Sequence, residues 1–179
     1  MPLLRLLTIF GLRTDGSAPQ PRPFLARLQA ELGRLGAARL EYLAAFAGQL
    51  GRVANVEGGI APQEAAAMAT QLTGAGGLTA QEAAVIVDLL CHEQAALRSV
   101  PPHELSRAIN DHASPDEKLA LLDCLYAVAA ADHLVSDVEE QEIRRVSESL
   151  LIPHRALMEI RARYRDRLEV LQGLPRGQR

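Results

Sequence analysis

The chain has 179 residues, a net charge of −3 and a hydrophobic fraction of 48%, enough length and apolar content for a buried core and too much for wholesale disorder. Aromatic residues make up only 3% and Trp is absent, which argues against modules that stack nucleobases on aromatic platforms, so no nucleic-acid partner is expected. Two cysteines, Cys91 and Cys124, form no CxxC pair and cannot frame a disulfide-stapled fold.

The near-neutral total hides an uneven distribution. Residues 1–40 carry six Arg against Asp15 and Glu31, a balance of +4. Residues 41–142 balance to −12, and residues 143–179, with nine Arg against four acids, to +5. The acidic centre reads either as solvated helix faces or as a surface that attracts cations.

Residues 3–10 open the chain with Leu3, Leu6, Leu7 and Phe10 at i, i+3, i+4, i+7, an amphipathic helix pattern. Arg5 splits this apolar run and Arg13 and Asp15 follow it, so it is read as no signal peptide. No apolar run approaches the roughly 18–20 residues of a membrane span, and a cytoplasmic location is expected. Gly11 to Pro23 reads as a linker, so residues 1–23 are taken as amphipathic helix and linker and residues 24–179 as one helical domain. Docking of residues 3–10 on the chain's own bundle is expected ahead of docking on a partner or a membrane.

Beyond the linker the periodicity predicts an all-α bundle with helices near 24–32, 36–55, 61–73, 79–97, 102–112, 115–131, 137–150 and 154–170. Ser114-Pro115-Asp116-Glu117 has a capping residue, Pro at the first helical position and Glu at the third, and Ser136 with Glu139 and Thr79 with Glu82 repeat the pattern. Gly58-Gly59, Gly74 and Gly76-Gly77 break helices. Leu43 to Ala54 and Leu119 to Ala131 are apolar almost all round and are predicted to be two central, covered helices.

These two stretches align under a shift of 75 residues, which superimposes Glu57 on Asp132, Glu64 on Glu139 and Met68 on Ile143. The alignment predicts an internal repeat, 42–97 and 117–170. In each copy an acid precedes a Glu by seven positions, across a short turn. Oxygen ligands of this kind suit a hard cation, Ca²⁺ or Mg²⁺. The step also matches positions 5 and 12 of an EF-hand, but Val53 and Val128 would occupy the first ligand position, so this is no EF-hand. The alternative is ordinary capping, with Glu139 explained by Ser136 and Glu64 by the helix dipole. Asp123, inside an apolar helix, needs either a cation or an Arg partner. The nearest expected relief for Asp132 and Glu139 is a cation or an Arg from the C-terminal unit, such as Arg144 or Arg145.

The run Leu121-Leu122-Asp123-Cys124-Leu125-Tyr126-Ala127-Val128-Ala129-Ala130-Ala131-Asp132, with Val135-Ser136, Glu139-Glu140 and Ile143-Arg144-Arg145-Val146, resembles the tellurite-resistance TerB-like family. Glu57-Gly58-Gly59-Ile60 with Glu64 resembles its weaker partner repeat. The resemblance spans about residues 36–170 and is strongest over 114–160. It implies two related helical units packed around two central apolar helices, a link to tellurite and other stress responses, and a divalent-cation site of clustered acids. Carried over, the candidate ligands are Asp123, Asp132 and Glu139, with Glu57 and Glu64 in the first unit. His133 stands where the pattern has Gly, and Gly48 where Asp123 would repeat.

Enzyme chemistry finds no support in the motifs. His92-Glu93 and His103-Glu104 lack the second His of a zinc-protease helix, and no phosphate loop or GxSxG turn occurs. Two functions from different classes follow: a cation-responsive stress domain, and a metal-independent module that docks a protein partner of unspecified identity through its acidic surface or its N-terminal helix.

Overall fold

The computed structural model describes residues 37–56, 58–92, 101–132 and 134–172. The expected helices at 3–10 and 24–32 and the linker between them lie outside the described residues. Among those described there are eight α-helices: α1 (Ala37–Ala54), α2 (Pro62–Gly74), α3 (Ala80–His92), α4 (Pro102–His112), α5 (Pro115–Ala129), α6 (Asp137–Ser149), α7 (His154–Arg163) and α8 (Glu169–Gln172). The fold is all-α, and no helix among the described residues is long and apolar enough to cross a membrane.

The helix starts follow their caps. At α5 the Ser114 hydroxyl accepts from the Glu117 N–H at 3.3 Å, and the Glu117 carboxylate accepts from the Ser114 N–H at 2.9 Å. Thr79 and Glu82 make the same exchange at α3. At the end of α2 the chain turns through Gly76, where a Cβ would lie 2.4 Å from the Leu72 carbonyl oxygen, so only glycine fits.

The core gathers around α1 and α5. From Tyr42 to Leu50 every residue of α1 is buried, Gln49 included, and α1 packs on α3, α4, α5 and α6 as well as on α2. Its small residues, Ala44, Ala45, Ala47 and Gly48, let neighbours approach closely. A Cβ at Gly48 would come within 2.9 Å of a Leu105 methyl of α4. In α5, Leu121, Leu122, Cys124, Leu125, Tyr126, Val128 and Ala129 are buried. The expectation of an apolar surface all round needs correcting here: Ala120 is exposed and Asp123 and Ala127 are half-buried, so one stripe of α5 at i, i+3, i+7 stays open.

The expected single helix over 154–170 is also interrupted. α7 ends at Arg163, a 3₁₀ turn runs Arg165–Arg167, and Leu168 forms a parallel β-bridge with Val135. The Val135 N–H donates to the Arg167 carbonyl at 2.7 Å and the Glu169 N–H to the Val135 carbonyl at 3.0 Å. The reason is burial: Leu168 and Val135 are both sealed in the core. A straight α7 would carry Leu168 past that position, and the hydrophobic gain outweighs the helical propensity of an Arg/Leu-rich segment.

Candidate functional site

Among the described candidate carboxylates, Glu64 belongs to a turn after α1, and Asp132 and Glu139 to a turn after α5. In the first, Ala61 holds an extended backbone, Pro62 starts α2, and Glu64 reaches back so that its Oε2 accepts the Ala61 N–H at 2.7 Å. Glu64 is 4% exposed. Glu57 lies outside the described residues.

The second turn is built more fully. α5 tightens into a 3₁₀ turn over Ala130–Asp132, which leaves Asp132 exposed. Val135 is pinned by its bridge to Leu168. Ser136 then caps α6: its hydroxyl accepts from the Glu139 N–H at 3.3 Å, and Glu139 Oε2 accepts the Ser136 N–H at 2.9 Å and its hydroxyl at 3.1 Å. Glu139 is buried under the helix N-terminus, where the unpaired N–H groups and the helix dipole favour a negative charge by roughly 0.3–1 kcal/mol. The structure thus joins Glu139 to Ser136 and sets Asp132 at the exposed end of the same turn.

Asp123 lies elsewhere, on the open stripe of α5. Arg163 Nη1 stands 3.3 Å from its Oδ1, and the Tyr164 hydroxyl donates to the Asp123 carbonyl at 3.1 Å and stands 3.3 Å from Oδ1. The Tyr164 ring stacks on Tyr126 with centroids 5.4 Å apart. Burial, and then the Asp123 charge, push the Tyr164 hydroxyl up to about 12. Of the two environments expected for Asp123, the structure presents the Arg partner.

Two buried acids of α6 belong to the same electrostatic picture. Glu140 is gripped by Arg161 of α7, whose guanidinium the carboxylate holds still more firmly protonated. Glu142 bridges Arg52 of α1 at 3.0 Å and Arg145 at 2.9 Å. Arg145, one of the two Arg expected near Asp132 and Glu139, pairs with Glu142, three residues away on its own helix. The signal for these acids was in the spacing, because Glu140 lies three residues before buried Ile143 and Glu142 four before buried Val146.

Among the described residues no three His, Cys, Asp or Glu side chains are grouped so as to hold a metal ion. The thiols are also unsuited to nucleophilic work. Cys124 is buried, donates to Gln71 Oε1 at 3.1 Å and is pushed by burial up to about 12, and burial raises Cys91 as well. What the second turn does expose is mixed. Leu134 is 40% and Val138 48% exposed, interleaved with exposed Asp132 and Asp137.

Comparison with known proteins gives one family: the model described as Tellurite resistance protein TerB matches residues 43–162, more than half of the chain. No curated protein and no solved structure matches it.

Proposed function

The chain belongs to the tellurite resistance protein TerB family, and from that membership we propose a non-catalytic cytoplasmic domain of the tellurite-stress response that acts by docking a protein partner. The observation that carries this reading is how the acids are used. Glu64 and Glu139 serve the first turns of α2 and α6, and Asp123 serves Arg163 and Tyr164. The second turn and the start of α6 then offer their exposed side chains, Leu134 and Val138 interleaved with Asp132 and Asp137, to a partner segment that is apolar and basic. The same reading takes α1–α3 and α5–α7 as related units, since the 75-residue register sets the Glu64 cap at the start of α2 on the Glu139 cap at the start of α6.

The test is complementation of tellurite-challenged cells that lack the chain. Leu134→Asp with Val138→Asp, both at exposed positions, should abolish protection while the melting temperature holds. Asp132→Asn, which leaves Asp137 and both apolar side chains in place, should weaken protection only in part. The opposite pattern returns the function to a cation: Asp132→Asn loses protection, and Ca²⁺ or Mg²⁺ raises the stability of the unaltered chain by RT ln(1 + [L]/Kd), roughly 2.7 kcal/mol at a hundredfold excess over Kd.

A further inference from the structure

The parallel bridge between Val135 and Leu168 joins residues far apart in the chain and brings the start of α8 against the second turn. Val135 and Leu168 are sealed in the core, while their neighbours Leu134 and Glu169 are exposed. The Glu169 N–H donates to the Val135 carbonyl at 3.0 Å, which sets Glu169 and the next residue, Val170, beside the turn that carries Leu134. Val170 is 46% exposed, as open as Leu134 and Val138. Exposed apolar side chains gathered around one bridge, rather than scattered singly, mark an interaction surface.

The charge around this surface is acidic. Asp132, Asp137 and Glu169 are exposed and hold no ion pair among the described residues. Arg167, the cation two residues before Glu169, has its guanidinium 3.4 Å from the Ala130 carbonyl. The complement of such a rim is basic, and an anionic lipid surface would be repelled.

The backbone decides the form of the partner. Val135 spends its N–H on the Arg167 carbonyl and its carbonyl on Glu169. Leu168 donates to the Arg165 carbonyl at 3.3 Å and accepts from the Leu171 N–H at 3.1 Å. Neither residue therefore offers an edge to an added strand. None of the six side chains, Asp132, Leu134, Asp137, Val138, Glu169 and Val170, is the aromatic platform that a polyproline segment needs. Recognition is left to side chains, as when the apolar face of an amphipathic helix is bound.

Resting on the partner-docking reading of the second turn, we propose that the partner presents a basic amphipathic helix and that Glu169 and Val170 of α8 complete the surface on which it docks.

The probe is a fluorescein-labelled helical peptide with Leu at i, i+3, i+4 and i+7 and Lys between, titrated with the full chain and read by anisotropy. The same peptide with Glu in place of Lys is the control. The Lys peptide should bind and the Glu peptide should not. Val170→Asp and Glu169→Lys should each weaken binding about fivefold or more, and the milder Glu169→Gln should weaken it less. Glu148→Lys makes the same change of charge at an exposed site roughly 16 Å along α6 from Asp137, and should leave binding within about twofold. A circular-dichroism melt checks that each variant folds. Equal binding of the two peptides, no binding of the Lys peptide, or equal losses from Glu148→Lys and Glu169→Lys overturns the proposal. If Leu134→Asp with Val138→Asp abolishes binding and both α8 changes leave it untouched, the extension to α8 fails. The partner-docking reading itself falls only if Leu134→Asp with Val138→Asp leaves tellurite protection intact. A chain that sediments as a dimer, and as a monomer once those two changes are made, assigns the surface to a second copy and overturns the proposal as well.

Discussion

Gly48 and Asp123 stand 75 residues apart, at the same place in the register that aligns α1 with α5, and they meet opposite surroundings. At Gly48 the side of α1 is covered by α4, so closely that a Cβ would meet Leu105. At Asp123 the side of α5 is open, and its side chain is 38% exposed and tied to the end of α7. The residue type follows the cover: a helix pressed against a neighbour needs the smallest side chain, and a helix with a half-open face can carry a charge at that position. The difference at this position therefore reports on the neighbours of each helix. The turns differ in the same sense. Among the described residues the first is capped by a carboxylate, whereas the second adds a hydroxyl cap and a β-bridge.

The largest effect should come from forcing the second half's residue into the first. Gly48→Asp would drive a carboxylate into the α1–α4 contact without a partner. A buried unpaired charge and the clash with Leu105 together should cost at least about 3 kcal/mol and lower the urea midpoint accordingly. Gly48→Ala should cost far less, because the facing atoms are Leu105 methyls that can shift and Ala regains about 1 kcal/mol of helix propensity. Equal losses for the two variants would break the comparison, since cover would then not be what selects glycine.

Much of this fold was legible because it depends on local signals. The Ser114-Pro115-Asp116-Glu117 and Ser136/Glu139 pairings announce α5 and α6, and the near-continuous apolar run from Leu43 announces α1 as a covered helix. The break in α7 was not legible. Its cause is the burial of Leu168 against Val135, a contact between residues 33 positions apart that leaves no periodic trace in an Arg-rich stretch. The candidate site was legible as a set of acids and not as an arrangement. Whether Asp123 faces a cation or an Arg, here Arg163, depends on where α7 crosses α5, and residue spacing within α5 says nothing of that.

A smaller effect sharpens the contrast between the turns. Ala61 offers α2 no side-chain acceptor, while Ser136 offers one to α6. Ala61→Ser should therefore stabilise the chain, and Ser136→Ala destabilise it, by about 1 kcal/mol each. Chemical denaturation of both variants and of the double exchange reads this directly. The double variant should return close to the parent, because the two helix starts are separate sites and their increments add. If Ala61→Ser brings nothing, Glu64 alone already satisfies the start of α2, and the two turns are energetically alike despite their different chemistry.

The smallest expected change in stability belongs to Asp123, and its signature is a titration. Its pair with Arg163 is part-exposed, so Asp123→Asn should cost less than about 1 kcal/mol. Tyr164 should respond more clearly. Burial is the main reason its hydroxyl titrates near 12, and the Asp123 charge and hydrogen bond come next. Removing the charge should bring that hydroxyl part of the way back toward its usual value near 10. Tyr42 and Tyr126, also raised to about 12 by burial but with other charged neighbours, should stay where they are. For a group whose folded pKa is raised in this way, the unfolded chain loses its proton first. Stability is then constant below about pH 10 and falls as the pH rises toward 12. In Asp123→Asn one of the three tyrosines should therefore ionise earlier, seen as a lower-pH component in tyrosinate absorbance, and alkaline destabilisation should be slightly shallower. A tyrosine titration identical to the parent's would show that Asp123 does not govern Tyr164. A stability loss above about 2 kcal/mol would show that the open face of α5 is covered more tightly than the contrast with Gly48 requires.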